Sequence, residues 1–327
     1  MPTIHIVNET ELRDLVHLDM TSVDVVEKGF IALASGKVQM PPIMHMEIPE
    51  FNGEMDAKSA YVPGFDCFAM KVSPGFFDNP KKGLPSLNGL MVLFSSETGV
   101  VRSVLLDNGY LTEIRTAAAG AVAAKHLARE AIEKAGVLGT GGQARYQIEA
   151  LHLVRPFKSL TVWGRNKDNA KICADELGEK LNINVSVADT PDEAALHSDV
   201  LVAATPSKVP LITEEGLHPG LHITAMGSDA PYKTEIAADV TASVDRLVVD
   251  SLAQCIKQGE LRTVTEAGLN YSAVELGQLC DGSEPGRQSD DEITLCDLTG
   301  TGVQDTVIAT HAYDLVTKAG TGKAFES

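Results

Sequence analysis

The middle of the chain alternates short apolar runs with stretches that have the spacing of amphipathic helices. The apolar runs lie at 135–139, 160–163, 185–188, 199–204, 221–225 and 246–250. Helical patterns lie between them at 146–154, 170–181 and 191–197. Apolar runs without polar alternation are typical of strands buried on both faces, so this order predicts a parallel sheet covered by helices. We therefore expect a doubly wound α/β domain in this region.

The first third of the chain has a different pattern. A helical segment at 23–35 precedes extended pieces that Pro and Gly separate, at 59–62, 67–72, 90–95 and 101–106. Their short spacing and the turn Ser96-Glu-Thr-Gly99 predict an antiparallel sheet of hairpins. An alanine-rich helix is predicted at 111–130, and a helix at 305–318 is expected to pack back on this N-terminal sheet.

Composition narrows the class of protein. The chain has 327 residues, of which 44% are hydrophobic, enough for a large core, so a disordered chain is excluded. Its formal net charge is −18. A chain this acidic repels phosphate groups, which argues against nucleic acid and an anionic membrane surface as partners.

Targeting and metal signals are not found in the sequence. Residues 1–14 lack the basic start and apolar core of a secretory signal, and no apolar run has the length of a bilayer span. The five cysteines are scattered without a C-x-x-C pair, which is typical of reduced thiols and predicts a cytoplasmic protein. Because the histidines also form no H-E-x-x-H pattern, we expect no metal site.

A glycine-rich segment follows the apolar run at 135–139 and opens the next helix. In this position Gly139 can make a tight turn, Gly141 can let the backbone approach a pyrophosphate, and Ala144 permits close packing of helix on strand. The helix N-terminus offers N–H groups and a positive dipole end to phosphates. A plain glycine turn is the alternative. The residues predicted here to contact a dinucleotide are Gly139, Thr140, Gly141, Gly142, Gln143, Ala144 and, after the run at 199–204, Thr205.

The tip of the next predicted strand bears on the choice of dinucleotide. An acidic residue there favours NAD, whereas an arginine accommodates the 2′-phosphate of NADP. The strand ends at Trp163-Gly164-Arg165-Asn166, so Arg165 favours NADP(H), while Asn166 can bind ribose hydroxyls and leaves NAD(H) open.

Several motifs in the same order resemble the ornithine cyclodeaminase/μ-crystallin family. They are Glu113-Ile-Arg115-Thr-Ala-Ala118, Gly139-Thr-Gly-Gly-Gln-Ala-Arg145, Gly227-Ser-Asp229-Ala-Pro-Tyr-Lys233-Thr-Glu235, Gly259-Glu-Leu261 and Gly300-Thr-Gly-Val-Gln-Asp305. The resemblance implies a Rossmann domain at 119–304 and an α+β domain for substrate binding and dimerisation at 1–118 and 305–327. It also implies homodimers joined through the substrate domains, and NAD(P) chemistry on small α-amino or α-imino acids.

The resemblance assigns roles to four charged residues. Arg115 occupies the position that binds the substrate carboxylate, which a guanidinium can grip bidentately. Lys71 matches the pocket lysine, with roles in carboxylate binding and catalysis, and Lys233 a second family position that can pair with Asp229 or the substrate. Asp229 is the acid/base position, at the end of the strand predicted at 221–225, and is also assigned to the cofactor site. The simpler alternatives are a surface ion pair of Arg115 with Glu113, a solvent-facing lysine and a turn aspartate.

The chain departs from the family pattern at two places. Ile43 stands where many relatives carry an arginine, so one carboxylate clamp is missing or replaced; His45 is a candidate substitute, and a half-buried strand histidine is the alternative. Thr299 stands where relatives carry serine or a similar residue. Ser86 and Asn88 lie in a segment that lines family substrate pockets and are further substrate-binding candidates.

From these residues we predict an NAD(P)H-dependent reductase of a small α-imino acid, with reduction of iminosuccinate to aspartate as the first candidate. That candidate favours NAD(H) despite Arg165. The alternatives are a cyclodeaminase that recycles NAD, and a non-catalytic binding protein like μ-crystallin. The presence in this chain of all three charged motif residues, Lys71, Arg115 and Asp229, argues against the last.

Overall fold

A computed structural model describes residues 3–326 and divides into two compact units. The first unit contains the chain up to Arg115 together with the segment from Thr301 onward. The second unit is Thr116–Gly300.

The elements follow in chain order. The first segment has β1 (Thr3–Asn8), α1 (Glu9–Leu15), α2 (Met20–Ala34), β2 (Met44–Ile48), β3 (Gly53–Ala60), β4 (Cys67–Phe76), β5 (Leu90–Ser95), β6 (Val101–Leu106) and α3 (Tyr110–Leu127). The middle segment has β7 (Lys134–Leu138), α4 (Gly142–Val154), β8 (Ser159–Trp163), α5 (Lys167–Leu181), β9 (Asn184–Val187), α6 (Pro191–Leu196), β10 (Val200–Ala203), β11 (Lys208–Ile212), β12 (His222–Ala225), β13 (Thr234–Ile236), α7 (Ala238–Ser243), β14 (Arg246–Val249), α8 (Leu252–Cys255), α9 (Glu260–Glu266), β15 (Ala273–Glu275), α10 (Leu276–Cys280) and β16 (Thr294–Asp297). The last segment has α11 (Gly302–Ala319) and β17 (Lys323–Glu326).

The first unit is built on a seven-stranded sheet with the order β17-β1-β6-β5-β4-β3-β2. Strands β2 to β6 pair antiparallel in sequence order, so the predicted sheet of hairpins is confirmed. Strand β1 adds parallel to β6, and β17 adds antiparallel to β1. The apolar pattern did not predict β1, β2 or β17, although the resemblance had placed His45, now in β2, on a strand. These strands lie toward the sheet edges, where β2 and β17 expose most of their side chains and so lack a strong apolar pattern.

Helix α11 docks on the central strands of this sheet. A Cβ at Gly302 would lie 2.4 Å from the carbonyl oxygen of Ser59, so only glycine permits this approach to β3. The Thr306 hydroxyl accepts from the amide of Ala69 at 3.1 Å and donates to the carbonyl of Ala60 at 2.8 Å. The predicted packing of the C-terminal helix on the N-terminal sheet is therefore confirmed, with a start at Gly302 rather than 305.

The second unit contains an eight-stranded parallel sheet with the order β15-β14-β16-β12-β10-β7-β8-β9. The chain leaves β7 in one direction and returns to place β10 on its other side, so the strand order reverses between these neighbours. Ligands of open α/β sheets bind at the carboxyl ends of the strands at such a reversal. The predicted doubly wound Rossmann fold is confirmed, although β15, β16 and the small β11–β13 sheet were not predicted.

Among the described residues, no helix is long and apolar enough to cross a membrane. All five cysteines are free, and all but Cys280 are buried.

Candidate cofactor and substrate sites

The glycine segment of the second unit turns sharply between β7 and α4. Gly139 has φ = 120°, and a Cβ there would lie 2.6 Å from the carbonyl oxygen of Ala204 at the end of β10. Gly141 is the N-cap of α4, and a Cβ there would meet no atom within 4 Å. Ala144 is fully buried against the sheet. These are the geometries expected of a turn glycine, a glycine facing open space and a packing alanine.

The N-terminus of α4 has no side-chain cap. The first amides of a helix have no intrahelical acceptor, so the uncapped end presents them to solvent or to a ligand. Arg145 lies behind the turn, where its guanidinium donates to the carbonyls of Thr140 and Gly141 at 2.7 and 3.1 Å. The loop is thus held from one side while its amide side stays open, and it fits a pyrophosphate.

The tip of β8 presents polar side chains. Arg165 and Asn166 are both exposed. The Asn166 side-chain oxygen accepts from the amide of Asn169 at 3.0 Å and caps α5, so this oxygen already has a structural partner. Arg165 therefore remains the stronger candidate for contact with the adenosine end of a dinucleotide.

A buried glutamate connects two loops at the carboxyl ends of β10 and β12. Glu235 accepts from the amide of Thr205 at 2.6 Å and from the amide of Gly227 at 2.8 Å. The neighbouring Glu260 accepts from the Thr234 hydroxyl and from the amides of Glu235 and Ile236. Both glutamates are fully buried. Thr205 is therefore held through its backbone, and the loop that begins at Gly227 is fixed in the same way.

The two glutamates have unusual proton affinities. Burial, and then the charge of Glu260, raises the pKa of Glu235 to about 8. Burial raises the pKa of Glu260 to about 7, against the hydrogen bonds that it accepts. Two carboxyl groups close together in a buried place disfavour ionisation of both.

Asp229 lies in the loop after β12. Its Oδ1 lies 2.7 Å from Nζ of Lys233, and its side chain is 48% exposed. The Ser228 hydroxyl donates to the carbonyl of Lys233 at 2.7 Å and closes the turn. The carboxylate is thus held on one side by a buried lysine and presented to solvent, in contrast to the glutamates beneath it. Of the two alternatives for Lys233, the structure shows the pair with Asp229.

In the first unit, the predicted Lys71 and Arg115 meet at one carboxylate that the sequence analysis left without a role. The Oδ1 of Asp305, on α11, lies 2.9 Å from Nζ of Lys71 on β4 and 3.0 Å from Nε of Arg115 on α3. Lys71 is 2% and Arg115 6% exposed, and Asp305 is fully buried. Neither predicted cation is the solvent-facing side chain of the simpler alternatives.

The charged groups of this cluster change one another's pKa. Burial, and then the charge of Arg115, lowers the pKa of Lys71 to about 7 against the attraction of Asp305. Burial alone would raise the pKa of Asp305, but the charges of Lys71 and Arg115 reverse this and lower it. Asp305 is therefore ionised, and Lys71 can gain or lose a proton near neutral pH.

Gln304 lies next to this cluster and is fully buried. Its side-chain oxygen accepts from Arg115 at 3.0 Å. Within residues 3–326, its side-chain nitrogen has no hydrogen-bond acceptor. A buried donor without an acceptor is costly, and in a binding site it marks a position for a ligand.

The remaining candidates of the first unit lie apart from Asp305. His45, on the edge strand β2, pairs with Asp56 at 2.7 Å and is 37% exposed. Ser86 and Asn88 lie in the loop before β5, where the Ser86 carbonyl and the Asn88 amide form backbone hydrogen bonds to β4. Ser86 and Ile43 are half-buried and Asn88 is exposed. No described side-chain bond joins these residues to the cluster, so their roles stay predictions.

Sequence reasoning missed Asp305, Gln304, Glu235 and the buried Lys58. Three of them lie inside motifs that were noticed for their glycines or for Asp229. A signal was present, because a lysine on an apolar strand needs a buried acid as its partner. The sequence did not reveal which acid, since Lys71 and Asp305 lie 234 positions apart.

Known proteins resemble this chain over nearly its whole length. A model of the ornithine cyclodeaminase/mu-crystallin family matches residues 3–320. A Rhizobium meliloti protein named as a dehydrogenase of unstated substrate is 51% identical, and an uncharacterized cyclodeaminase of Sinorhizobium fredii is 47% identical, each over 100% of both chains.

Three solved structures share the fold. The Delta(1)-pyrroline-2-carboxylate reductase of Thermococcus litoralis, in complex with NADH and L-proline, has a TM-score of 0.91 at 29% identity and covers 98% of this chain and 99% of its own. An archaeal alanine dehydrogenase dimer with bound NAD has 0.90 at 33%, over 99% of each chain. The iminosuccinate reductase of Paracoccus denitrificans with NAD+ has 0.91 at 27%, over 99% of this chain and 100% of its own.

Proposed function

The chain belongs to the ornithine cyclodeaminase/mu-crystallin family, and we propose that it is an NAD(P)H-dependent reductase that converts a small α-imino acid into an α-amino acid. The observation that carries the proposal is the buried group of Lys71, Arg115 and Asp305, in which two cations share one carboxylate. The three solved relatives described above are reductases or dehydrogenases of imino or amino acids, and each of these structures contains NAD(H).

In this proposal Arg115 and Lys71 bind the α-carboxylate of the substrate. A guanidinium and an ammonium that are shielded from water attract a carboxylate far more strongly than exposed cations do. Asp305 holds both side chains in place and lowers the cost of burying two like charges. The residual positive charge then favours an anionic substrate.

Two groups can manage the proton of the substrate nitrogen. Lys71 has a pKa of about 7 and can exchange a proton near neutral pH. The Asp229 carboxylate, steadied by Lys233, can stabilise a protonated imine nitrogen and return a proton. We assign Asp229 as the principal acid/base group because it is the more exposed to solvent and can re-equilibrate its proton.

The dinucleotide is assigned to the second unit. The amides at the start of α4 would hold the pyrophosphate, the turn at Gly139 would shape its binding loop, and Thr205 and the Gly227 loop would line the carboxyl edge of the sheet. When bound, the reduced nicotinamide supplies a hydride for the imine carbon. Given the NAD(H) complexes of the relatives, we assign NAD(H) despite Arg165.

For the substrate we propose iminosuccinate, which gives aspartate. The support is the buried cations Lys71 and Arg115 of the first unit, and the likeness to an iminosuccinate reductase of Paracoccus denitrificans at 30% sequence identity over 98% of this chain. The test is a panel of 2-oxo acids with ammonium, monitored by the absorbance of NADH and of NADPH. Oxidation with oxaloacetate supports the proposal.

Other outcomes separate the alternatives. Release of ammonia from ornithine without net change in NADH would make the protein a cyclodeaminase. Absence of turnover with every imino and amino acid, together with tight binding of one of them, would make it a binding protein. Either outcome contradicts the reductase.

We also propose a homodimer formed through the sheet of the first unit. Side chains alternate along a strand, so the face opposite Lys71 carries Phe68 and Met70, and β2 adds Met44 and Met46 to it. Met70, Met46 and Met44 are 45%, 48% and 58% exposed. Apolar side chains grouped on one sheet face are typical of a subunit interface. If sedimentation at micromolar protein concentration gave the mass of a monomer, the result would contradict the homodimer.

A further inference from the structure

The side chain of Gln304 is buried at the start of α11. Gln304 is the third residue of that helix, its exposed fraction is 0%, and it directly precedes Asp305. Its carboxamide has an acceptor oxygen and a donor nitrogen, and both lose their water on burial. Each of them therefore needs a partner inside the protein or on a ligand.

Two donors determine which way this carboxamide is oriented. Nη1 of Arg115 donates to Oε1 of Gln304 at 3.0 Å, and the backbone amide of Thr301 donates to the same oxygen at 3.3 Å. With the group turned around, its nitrogen would face both donors, and neither donor would have an acceptor. The oxygen is therefore bound to the protein, and the nitrogen takes the other position of the carboxamide.

The nitrogen has no comparable partner. Within residues 3–326, Nε2 of Gln304 is buried and makes no hydrogen bond. The Thr301 hydroxyl, in the same turn, is likewise buried without a partner in the described part of the chain. A buried donor that has lost water and gained no acceptor destabilises the folded chain, so it indicates a ligand that completes the bond.

The surroundings of Nε2 indicate a carboxylate as that ligand. The oxygen of the same carboxamide accepts from Arg115, so Nε2 lies beside a buried guanidinium. Among the described residues, the Nη2 atom of Arg115 donates no hydrogen bond, since the guanidinium contacts Gln304 through Nη1 and Asp305 through Nε. A guanidinium and an amide donor next to each other match the two oxygens of a carboxylate.

We propose that Nε2 of Gln304 donates a hydrogen bond to the α-carboxylate of the substrate, beside the contact that Arg115 makes. The inference rests on the proposed imine reductase function and adds a residue that recognises the carboxylate without a charge of its own. Gln304 then has two roles, because its oxygen orients Arg115 and its nitrogen binds the substrate. Since every α-imino or α-amino acid has this carboxylate, the contact does not depend on the substrate side chain.

The test separates the two ends of the carboxamide. Gln304→Glu keeps an acceptor for Arg115 and for the Thr301 amide, but it replaces the donor with a second acceptor that repels a carboxylate. Glutamate is common as the third residue of a helix, so the fold should tolerate this change. Gln304→Met removes both ends. The control is Gln278→Glu, because Gln278 is the third residue of α10 and its oxygen accepts from the amide of Glu275 at 2.9 Å.

Binding is measured by calorimetry on protein saturated with NAD+, with L-aspartate and L-alanine, which share the α-carboxylate and differ in side chain. We expect Gln304→Glu to raise Kd about 10²-fold for both ligands, because a charge-assisted hydrogen bond is lost and a repulsion is added. KM for oxaloacetate with ammonium should rise with less than about 3-fold change in kcat, since the α-carboxylate does not react. Gln278→Glu should change none of these values, and the melting temperature of Gln304→Glu should stay close to that of the wild type.

The outcomes separate this inference from the proposed function. If Gln304→Glu binds both ligands normally while Gln304→Met loses affinity, Gln304 acts only through its oxygen and the inference is wrong. It is also wrong if the wild type binds neither ligand, or if only the affinity for aspartate falls. If the wild type oxidises NADH with no oxo acid but Gln304→Glu still weakens binding of both amino acids, the reductase is wrong and the inference stands.

A second measurement needs no variant and is available if Gln304→Glu does not fold. A crystal structure of the wild type with NAD+ and L-aspartate should place an α-carboxylate oxygen within about 3.2 Å of Nε2 of Gln304. An Nε2 that donates to the Thr301 hydroxyl instead, or an α-carboxylate bound away from Gln304, would contradict the proposal.

Discussion

The two units bury charged groups of opposite sign, and these groups have different roles. In the first, Lys58, Lys71 and Arg115 surround Asp305, and a neighbouring amide donor on Gln304 has no acceptor within the described chain. In the second, the buried carboxyl groups of Glu235 and Glu260 accept hydrogen bonds from backbone amides and from a hydroxyl.

Asp250 shows the second pattern most clearly. It accepts from the amides of Thr299 and Gly300 at 2.8 and 2.7 Å and from the Thr299 hydroxyl at 2.9 Å. Like Glu235, it fixes loop backbone, here at Thr299 and Gly300. Groups whose bonds are complete serve the architecture, whereas a buried donor without an acceptor, such as the Gln304 amide, indicates a place for a ligand.

Asp229 is the exception in the second unit, and its removal gives the largest expected effect. We expect Asp229→Ala to lower kcat by about 10²–10⁴-fold, the usual contribution of a positioned acid or base. The melting temperature should change little, because the carboxylate is half exposed. Steady-state kinetics and thermal unfolding check this. Near-normal turnover would return Asp229 to the role of a turn residue.

Arg115→Ala tests the first unit. Truncating one partner of a buried charge pair costs about 2–5 kcal/mol, so we expect kcat/KM to fall about 10²–10³-fold. Arg115→Lys keeps the charge but cannot reproduce two parallel donors, so it should recover only part of the activity. If both variants keep normal kinetics with a folded circular dichroism spectrum, the cluster is structural.

The sequence predicted more of the second unit than of the first. The apolar runs and the strand–glycine–helix order predicted the Rossmann fold and the turn at Gly139, because both depend on neighbours in the chain. Lys71 and Arg115 were found through motif resemblance. Asp305 and Lys58 were not, because their pairing depends on the β3–β4 register and on where α11 docks. Edge strand β2 has no apolar pattern because its side chains are mostly exposed.

Glu235→Gln tests whether buried carboxyl groups in the second unit position the cofactor loops. An amide side chain has one acceptor and cannot accept from both Thr205 and Gly227 in the manner of a carboxylate. We expect KM for the dinucleotide to rise about tenfold with less than about 3-fold change in kcat. Glu149→Gln, on α4, is the control. An unchanged KM for the dinucleotide would mean that the loops hold without this connection.

The pH dependence of stability should have opposite slopes in the two units. The folded-state pKa of Glu235 is about 8, above the 4.5 of an unfolded glutamate, so the folded protein binds the extra proton between these values. Its contribution is therefore complete below pH 4.5 and is lost as pH rises through 8. Lys71 has a folded-state pKa of about 7 against 10.5, so its contribution is present above 10.5 and is lost as pH falls through 7.

Urea unfolding across pH measures both slopes. Glu235→Gln should reduce the decline in the free energy of unfolding between pH 4.5 and 8. Lys71→Met should reduce its rise between pH 7 and 10.5. The free energy of unfolding could instead change with pH in one direction only, and in the same way in both variants. The buried charges of the two units would then not differ in their effect on stability.

Arg165→Ala should have the smallest effect, because its side chain is exposed at the tip of β8. Solvent and salt screen an exposed cation, so its attraction for a 2′-phosphate is weak compared with that of a buried one. We expect KM for NADPH to rise about 3-fold, KM for NADH to stay constant, and the difference to shrink as ionic strength increases. Lys171→Ala, an exposed lysine further along α5, should change neither value. A rise of about 10²-fold in KM for NADPH would instead make Arg165 the determinant of an NADP(H) enzyme. The decisive cation would then lie on the surface of the unit whose interior contains carboxylates.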